Sequence, residues 1–162
     1  MPPLKTAIAA LLIATPTLAD PLSEMDGTWR GSGWARETPD GPKEAVRCQI
    51  RNSYDAATAT LKINGKCVVP GRKLDISGTL TANDGAQGIT GRWSNPDGIG
   101  SVRVRGQQRD DTIAFTYEAT NPVTGKTHAQ NVEWRVRDGT LRLVSADREQ
   151  PGLLMSDILF AP

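Results

Sequence analysis

Few side chains in this sequence of 162 residues could take part in catalysis. There is one histidine, His128, and this count argues against most reaction classes. A Ser-His-Asp or Cys-His arrangement would have to use His128, but residues 126–130 match no nucleophile motif. Zinc sites normally draw on several histidines or free cysteines, and the sequence carries no phosphate loop or dinucleotide motif. The adjacent carboxylates Asp110 and Asp111 are typical of a turn. The sequence therefore predicts a protein that is not an enzyme, with no metal and no cofactor.

Cys48 and Cys67 are the only cysteines, and an even count predicts one disulfide in an exported chain. Closing the loop between them would stabilise the fold by about 3 kcal/mol in the chain-entropy model. If residues 46–51, 58–63 and 66–69 formed a flat meander, the middle strand would hold the cysteines about 9 to 10 Å apart. The α-carbons of a disulfide lie only about 4.4 to 6.8 Å apart. We therefore expect Lys66 to Pro70 to leave the sheet. A redox or metal-binding pair is the alternative, but the pair lacks Cys-x-x-Cys spacing and clustered histidines.

Apolar and polar residues alternate along most of the chain, and a period of two is typical of strands with one dry face. Turn signals separate the alternating stretches at short intervals. The strongest are Asn-Gly at residues 64–65 and Asp-Gly sites such as residues 138–139, because these dipeptides supply the positive φ angles of tight hairpins. A weaker break falls at residues 52–55. The spacing leaves room for strands and hardly any helix.

Eight to ten short strands joined by hairpins must avoid exposing sheet edges. The sequence therefore predicts an all-β fold, a single up-and-down antiparallel barrel, with a two-sheet sandwich as the runner-up. The first strand is expected over Asp26 to Trp34, where Trp29 shares a face with Gly31 and Gly33. The last segment, Leu153 to Phe160, is apolar on both faces and is expected to close the sheet against the first strand.

Residues 1–19 have the layout of a secretory signal peptide: Lys5, an apolar run from Ala7 to Ala14, and Ala19 at the cleavage site. We expect one exported domain over residues 20–162, without a membrane span because the apolar run is too short. Removal of Lys5 leaves 18 basic and 18 acidic residues, which argues against a nucleic-acid partner. Several arginines fall on outward positions, interpreted as a charged face paired with Glu118, Glu133 and their neighbours: Arg47, Arg51, Arg92, Arg103, Arg105, Arg135 and Arg137.

Gly27-Thr28-Trp29 opens the first strand with Gly-x-Trp, and in a secreted chain of consecutive hairpins this resembles the lipocalin and calycin barrels. The whole chain also resembles small exported proteins of Gram-negative bacteria. Those proteins carry an early Trp-x-Gly-x-Gly, one cysteine pair and a later Gly-x-Trp, which here is Gly91-Arg92-Trp93. The second resemblance implies a periplasmic barrel and no particular activity.

The barrel interior is the remaining place for a function. Glycines that leave space, aromatic walls and a few polar groups such as His128 and Gln130 are typical of a small-molecule pocket. The alternative is that the aromatic rings simply fill a narrow barrel. The first functional hypothesis is a periplasmic carrier or sensor of a small, partly apolar ligand, held by Trp29, Trp93, Phe115, Tyr117, His128 and Trp134. The second is an envelope module, such as an inhibitor or assembly factor, that binds a protein partner through its loops or outer face.

Overall fold

A computed structural model describes residues 20–83, 87–95, 100–120 and 125–162. The predicted leader lies outside these residues, and so do all or part of the predicted turns at 83–85, 96–98 and 121–125. A short helix, α1, begins the described chain, and strands β1 to β10 follow. The elements are α1 (Pro21–Glu24), β1 (Gly27–Ala35), β2 (Glu44–Asp55), β3 (Thr60–Val69), β4 (Arg72–Ala82), β5 (Gly88–Asn95), β6 (Gly100–Arg109), β7 (Thr112–Thr120), β8 (Thr127–Arg137), β9 (Thr140–Asp147) and β10 (Leu154–Ala161).

The ten strands form one closed antiparallel barrel in which each strand pairs with its neighbours in sequence. Closure comes from β10, which pairs with β1 from Arg30 opposite Ala161 to Ala35 opposite Ser156. The predicted up-and-down barrel is therefore confirmed, and the sandwich is excluded. The prediction that the last segment closes the sheet against the first strand is also confirmed. Closure gives each of the ten described strands a partner on both sides, which is the reason a chain of hairpins adopts it.

Three hairpins in the described part of the chain turn at predicted sites with residues in the left-handed region, at Gly71, at Asp110 and at Asp138-Gly139. Asp138 and Gly139 have φ angles of 52° and 69° in the turn between β8 and β9, as a two-residue type I′ turn requires. Gly71 makes the turn from β3 to β4 with a φ of 78°. The predicted break at residues 52–55 is wrong, because β2 continues to Asp55 and the chain turns at the following residues, where Ala59 has a φ of 46°.

The Cys48–Cys67 disulfide is confirmed, but the predicted route of the chain to it is wrong. Residues 60–69 form one continuous strand, so Lys66 to Val69 stay in the sheet and Cys67 lies directly opposite Cys48, with 4.0 Å between their α-carbons. Asn64-Gly65 is not a hairpin turn. A Cβ atom on Gly65 would lie 2.5 Å from the carbonyl oxygen of Gln49, so this glycine permits close approach of two strands rather than a reversal.

Helix α1 covers one end of the barrel, which we call the closed end. Leu22 and Met25 are fully buried there. The carbonyl oxygen of Met25 accepts hydrogen bonds from Trp29 Nε1 and Asn52 Nδ2, each at 2.9 Å. Asp20 caps the helix by accepting from the Leu22 amide at 3.1 Å. The sequence pattern did not indicate this helix, because four residues are too few to show a helical period.

Aromatic rings occupy the space that the inward-facing glycines leave in the barrel interior. Three glycines lie directly opposite an aromatic residue on the neighbouring strand, and a Cβ atom on each would collide with that residue: Gly31 with Phe160, Gly78 with Trp93, and Gly106 with Phe115. The rings also touch one another, since the centroids of Trp134 and Phe160 are 5.7 Å apart. The glycines therefore make room for core packing in this part of the barrel, not for a ligand.

Candidate ligand site at the barrel mouth

The end of the barrel opposite α1, which we call the mouth, contains a cavity of about 190 Å³. The final residues of β1, β3, β5 and β7 and the first residues of β2, β4 and β8 surround it, together with the chain that follows β1. Its lining combines aliphatic, amide, phenolic and charged groups: Ala35, Arg36, Glu37, Glu44, Val69, Arg72, Leu74, Asn95, Tyr117 and Gln130. The strands thus bring together residues from seven separate parts of the sequence.

Val69 and Leu74 give the cavity an apolar wall, and the phenol of Tyr117 lies against the same space. Tyr117 is only 8% exposed, and this burial raises its pKa to about 12. The hydroxyl therefore stays protonated at neutral pH and can donate a hydrogen bond to a bound molecule. A wall of this kind suits a ligand that is apolar on one side.

Two buried polar atoms at the mouth lack a hydrogen-bond partner among the described residues: Asn95 Oδ1 and Arg36 Nε. The rest of Arg36 is held, because Nη1 donates to the carbonyl oxygen of Pro39 at 3.0 Å and the backbone amide donates to Met155 at 2.8 Å. An unsatisfied buried polar group costs about 1 to 3 kcal/mol. Because neither atom has appreciable accessible surface, a ligand in the cavity could reach them only after a side-chain movement.

The rim of the cavity carries a balanced set of charges. Arg72 Nη2 lies 3.0 Å from Glu37 Oε2 and 3.4 Å from Glu44 Oε2, and the hydrogen bond to Glu37 is the main reason that its pKa is raised. With Arg36, the rim holds two cations and two carboxylates. A site with this balance favours a neutral or zwitterionic ligand over a molecule with net charge.

Tyr117 is the one residue of the six ligand-binding candidates that lines this cavity. The structure brings Trp93, Phe115 and Trp134 together beneath it, with ring centroids 6.2 Å apart for Trp93 and Phe115 and 6.4 Å apart for Trp93 and Trp134. Phe115 and Trp134 are buried and Trp93 is half-buried. Trp29 lies near the closed end, where its Nε1 donates to the carbonyl oxygen of Met25. His128 lies near the start of β8, is half-buried, and is opposite Ala119 of β7.

Sequence reasoning missed Asn95, Arg36 and Arg72, which carry most of the polar chemistry of the mouth. Asn95 could have been found, because it follows Ile89, Gly91 and Trp93 at the spacing of inward residues on β5. Arg36 follows the last residue of β1, and Arg72 follows a turn. No periodic pattern indicates on which side of the rim such residues lie.

Comparisons with known proteins do not show a family for this chain. No protein-family model matches the chain, and no curated protein is found to be similar to it. The resemblance to lipocalin and calycin barrels stays a prediction. Within the described ranges, no group of three or more histidine, cysteine, aspartate or glutamate residues could hold a metal ion, and no helix is long and apolar enough to span a membrane.

The two tyrosines of the chain should ionise only near pH 12. Burial raises the pKa of Tyr117 to about 12, and the hydrogen bond from Tyr54 to Asp20 at 2.5 Å is the main cause of a similar rise for Tyr54. Because both pKa values are higher than in the unfolded chain, stability is fully present below about pH 10 and falls as the pH rises towards 12. Phenolate absorbance measured against pH checks this. A Tyr117→Phe variant should retain only the Tyr54 step, and a step near pH 10 in the folded protein would contradict the expectation.

Proposed function

We propose that the protein is a non-enzymatic binding protein of the periplasm that holds a small, partly apolar ligand at the mouth of its barrel. The observation that carries the proposal is the mixed lining of the cavity at the mouth, which combines the aliphatic side chains of Val69 and Leu74 and the ring of Tyr117 with the charged side chains of the rim. A concave site that joins an apolar wall to a few polar groups is typical of a site for a small, partly apolar ligand.

The size and charge of the cavity limit the class of ligand. A cavity of about 190 Å³ has room for only about five to ten non-hydrogen atoms, since one water molecule takes about 30 Å³ in the liquid. The aliphatic wall of Val69 and Leu74 and the balanced rim charges favour a neutral or zwitterionic molecule with a short apolar part. This ligand is smaller than one that would fill a whole barrel, because aromatic rings pack the interior below the mouth.

Two features that favour export, the disulfide and the layout of residues 1–19, support the proposed location. A disulfide between the only two cysteines is typical of a protein that folds in an oxidising compartment. The signal-peptide layout of residues 1–19 favours export as well. A bacterial periplasm is the compartment that combines both features with the resemblance to exported proteins of Gram-negative bacteria.

Native mass spectrometry of protein purified from its native host tests the proposal. We expect wild type to retain one small molecule, and a Leu74→Trp variant to lose it, because the larger side chain would occupy much of the cavity. Leu159→Trp is the matched control: Leu159 is 55% exposed on β10, so this variant should retain the molecule. Thermal unfolding of both variants shows whether they are folded. Wild type with no retained mass, or equal retention by both variants, would contradict binding at the mouth.

A further inference from the structure

The positive charges of the outer surface are concentrated on strands β2 to β6. We define the basic face by six exposed residues on β2, β3, β5 and β6: Arg47, Arg51, Lys62, Arg92, Arg103 and Arg105. The described outward positions of β2 to β6 carry only two carboxylates. Asp75 lies 3.9 Å from Lys66, and Asp55 accepts hydrogen bonds from Ala57 and Thr58 in the adjoining turn. The whole chain has a formal net charge of only +1, so the described outward positions of β2 to β6 are much more cationic than the chain as a whole.

No residue of the basic face forms an ion pair with a carboxylate in the described part of the chain. In contrast to the basic face, the arginines of β8 and β9 form ion pairs. Their partners are carboxylates: Arg135 with Glu133 at 2.7 Å, Arg137 with Asp111 at 2.6 Å, and Arg142 with Asp157 at 2.7 Å. The expected pairing of outward arginines therefore holds for Arg135 and Arg137, and it is wrong for the arginines of the basic face.

A row of cations crosses four adjacent strands on the basic face. Lys62 lies opposite Thr79, Thr79 lies opposite Arg92, and Arg92 lies directly opposite Arg103. Arg105 follows two residues later on the same face of β6. Like charges directly opposite one another destabilise a sheet. Arg92 Nη2 donates to Ser101 Oγ at 3.1 Å, but no described carboxylate neutralises the Arg92–Arg103 pair, whereas an anionic partner would.

Among the described residues, the surface between these cations is hydroxylated and carries no large apolar side chain. A shallow depression of about 390 Å³ contains Lys62 and Arg92 together with Ser77, Thr79, Ser94 and Ser101. Of the exposed large hydrophobic residues, Leu154 and Leu159 lie on β10, and Val68 lies beside Arg47 at one end of the face. The depression therefore offers no aromatic rings for base stacking and no apolar group for insertion into a membrane.

We propose that the basic face binds an acidic polysaccharide. The guanidinium and ammonium groups pair with its acidic groups, and the serine and threonine hydroxyls and Asn64 hydrogen-bond to its sugar hydroxyls. A linear polyanion fits a row that runs across four strands, because consecutive acidic groups can meet Lys62, Arg92 and Arg103 in turn. This surface lies outside the mouth and does not depend on the ligand proposed there.

Binding to heparin and to polygalacturonate, probes with sulfate and carboxylate groups, tests the proposal. The triple variant Lys62→Gln, Arg92→Gln, Arg103→Gln should weaken binding of at least one of them by about tenfold or more. The matched control, Arg135→Gln, Arg137→Gln, Arg142→Gln, has the same formal net charge and should change binding less than about twofold. Equal weakening by both variants, or failure of wild type to bind either probe, would overturn the proposal.

Double-stranded DNA and vesicles of phosphatidylcholine with phosphatidylglycerol distinguish other anionic partners. Wild type should bind them more weakly than the polysaccharide at the same salt concentration, and equal or tighter binding would overturn the proposal. Thermal unfolding separates binding from folding. The basic-face variant should melt at or above the wild-type temperature, because it removes the Arg92–Arg103 repulsion. A melting temperature in that range shows that weaker binding does not come from unfolding.

Discussion

Gly106→Ala is expected to destabilise the barrel by more than about 3 kcal/mol, at the upper end of the usual cost of overpacking. A Cβ atom on Gly106 would overlap the carbonyl oxygen of Ala114 and would lie 2.6 Å from both Cα and Cβ of Phe115. These are atoms of the neighbouring strand itself, so no change of rotamer relieves the collision. The β6–β7 pairing must shift, and with it the contact between Phe115 and Trp93.

Urea unfolding of Gly106→Ala and Gly152→Ala measures this effect. Gly152 is the matched control, because a Cβ atom there meets nothing within 4 Å and the residue is not one of the glycines with positive φ. Its alanine variant should be unchanged or slightly more stable, since alanine reduces the freedom of the unfolded chain. Similar midpoints for both variants would show that β6 and β7 can separate enough to admit a methyl group.

The barrel could be predicted from local pattern because the alternation of apolar and polar residues along a strand indicates which of its faces is buried. Inward positions such as Ile113, Phe115 and Tyr117 are all buried, as their spacing indicates. Closure then follows from the need to pair every edge. The function of Gly65 could not be predicted in this way. Whether a glycine turns the chain or admits a neighbouring backbone depends on the strand beside it, which local sequence does not reveal.

The same limit applies to the candidate sites. Arg103 and Arg135 look alike in sequence, since each is an outward arginine on a strand. Register makes them different, because Arg103 lies opposite Arg92 while Arg135 pairs with Glu133 two residues away. At the mouth, Tyr117 follows the strand period, but Arg36 lies after the end of its strand. Charge pairing and rim geometry therefore had to come from the three-dimensional arrangement.

Cys48→Ala with Cys67→Ala should lower the free energy of unfolding by about 3 kcal/mol and the melting temperature by about 10 °C. The bond joins strands that already pair from Arg47 opposite Val68 to Asp55 opposite Thr60, so the folded contacts survive its removal. The stabilisation acts mainly on the unfolded chain, which the disulfide keeps compact. The dependence of unfolding free energy on urea should therefore become steeper in the variant, because more surface is exposed on unfolding.

Reduced wild type distinguishes the stability lost with the cross-link from the stability lost with the sulfur atoms, because it lacks the bond but keeps both cysteine side chains. We expect it to match the double variant in stability and in urea dependence once it is reduced in denaturant and refolded with reductant. In the folded protein the cysteines are only 5% and 6% exposed, so reduction without denaturant should be slow. If reduced wild type kept the stability of the oxidised protein, the cost of the double variant would belong to packing of the sulfur atoms between β2 and β3, and the disulfide would contribute little by constraining the unfolded chain.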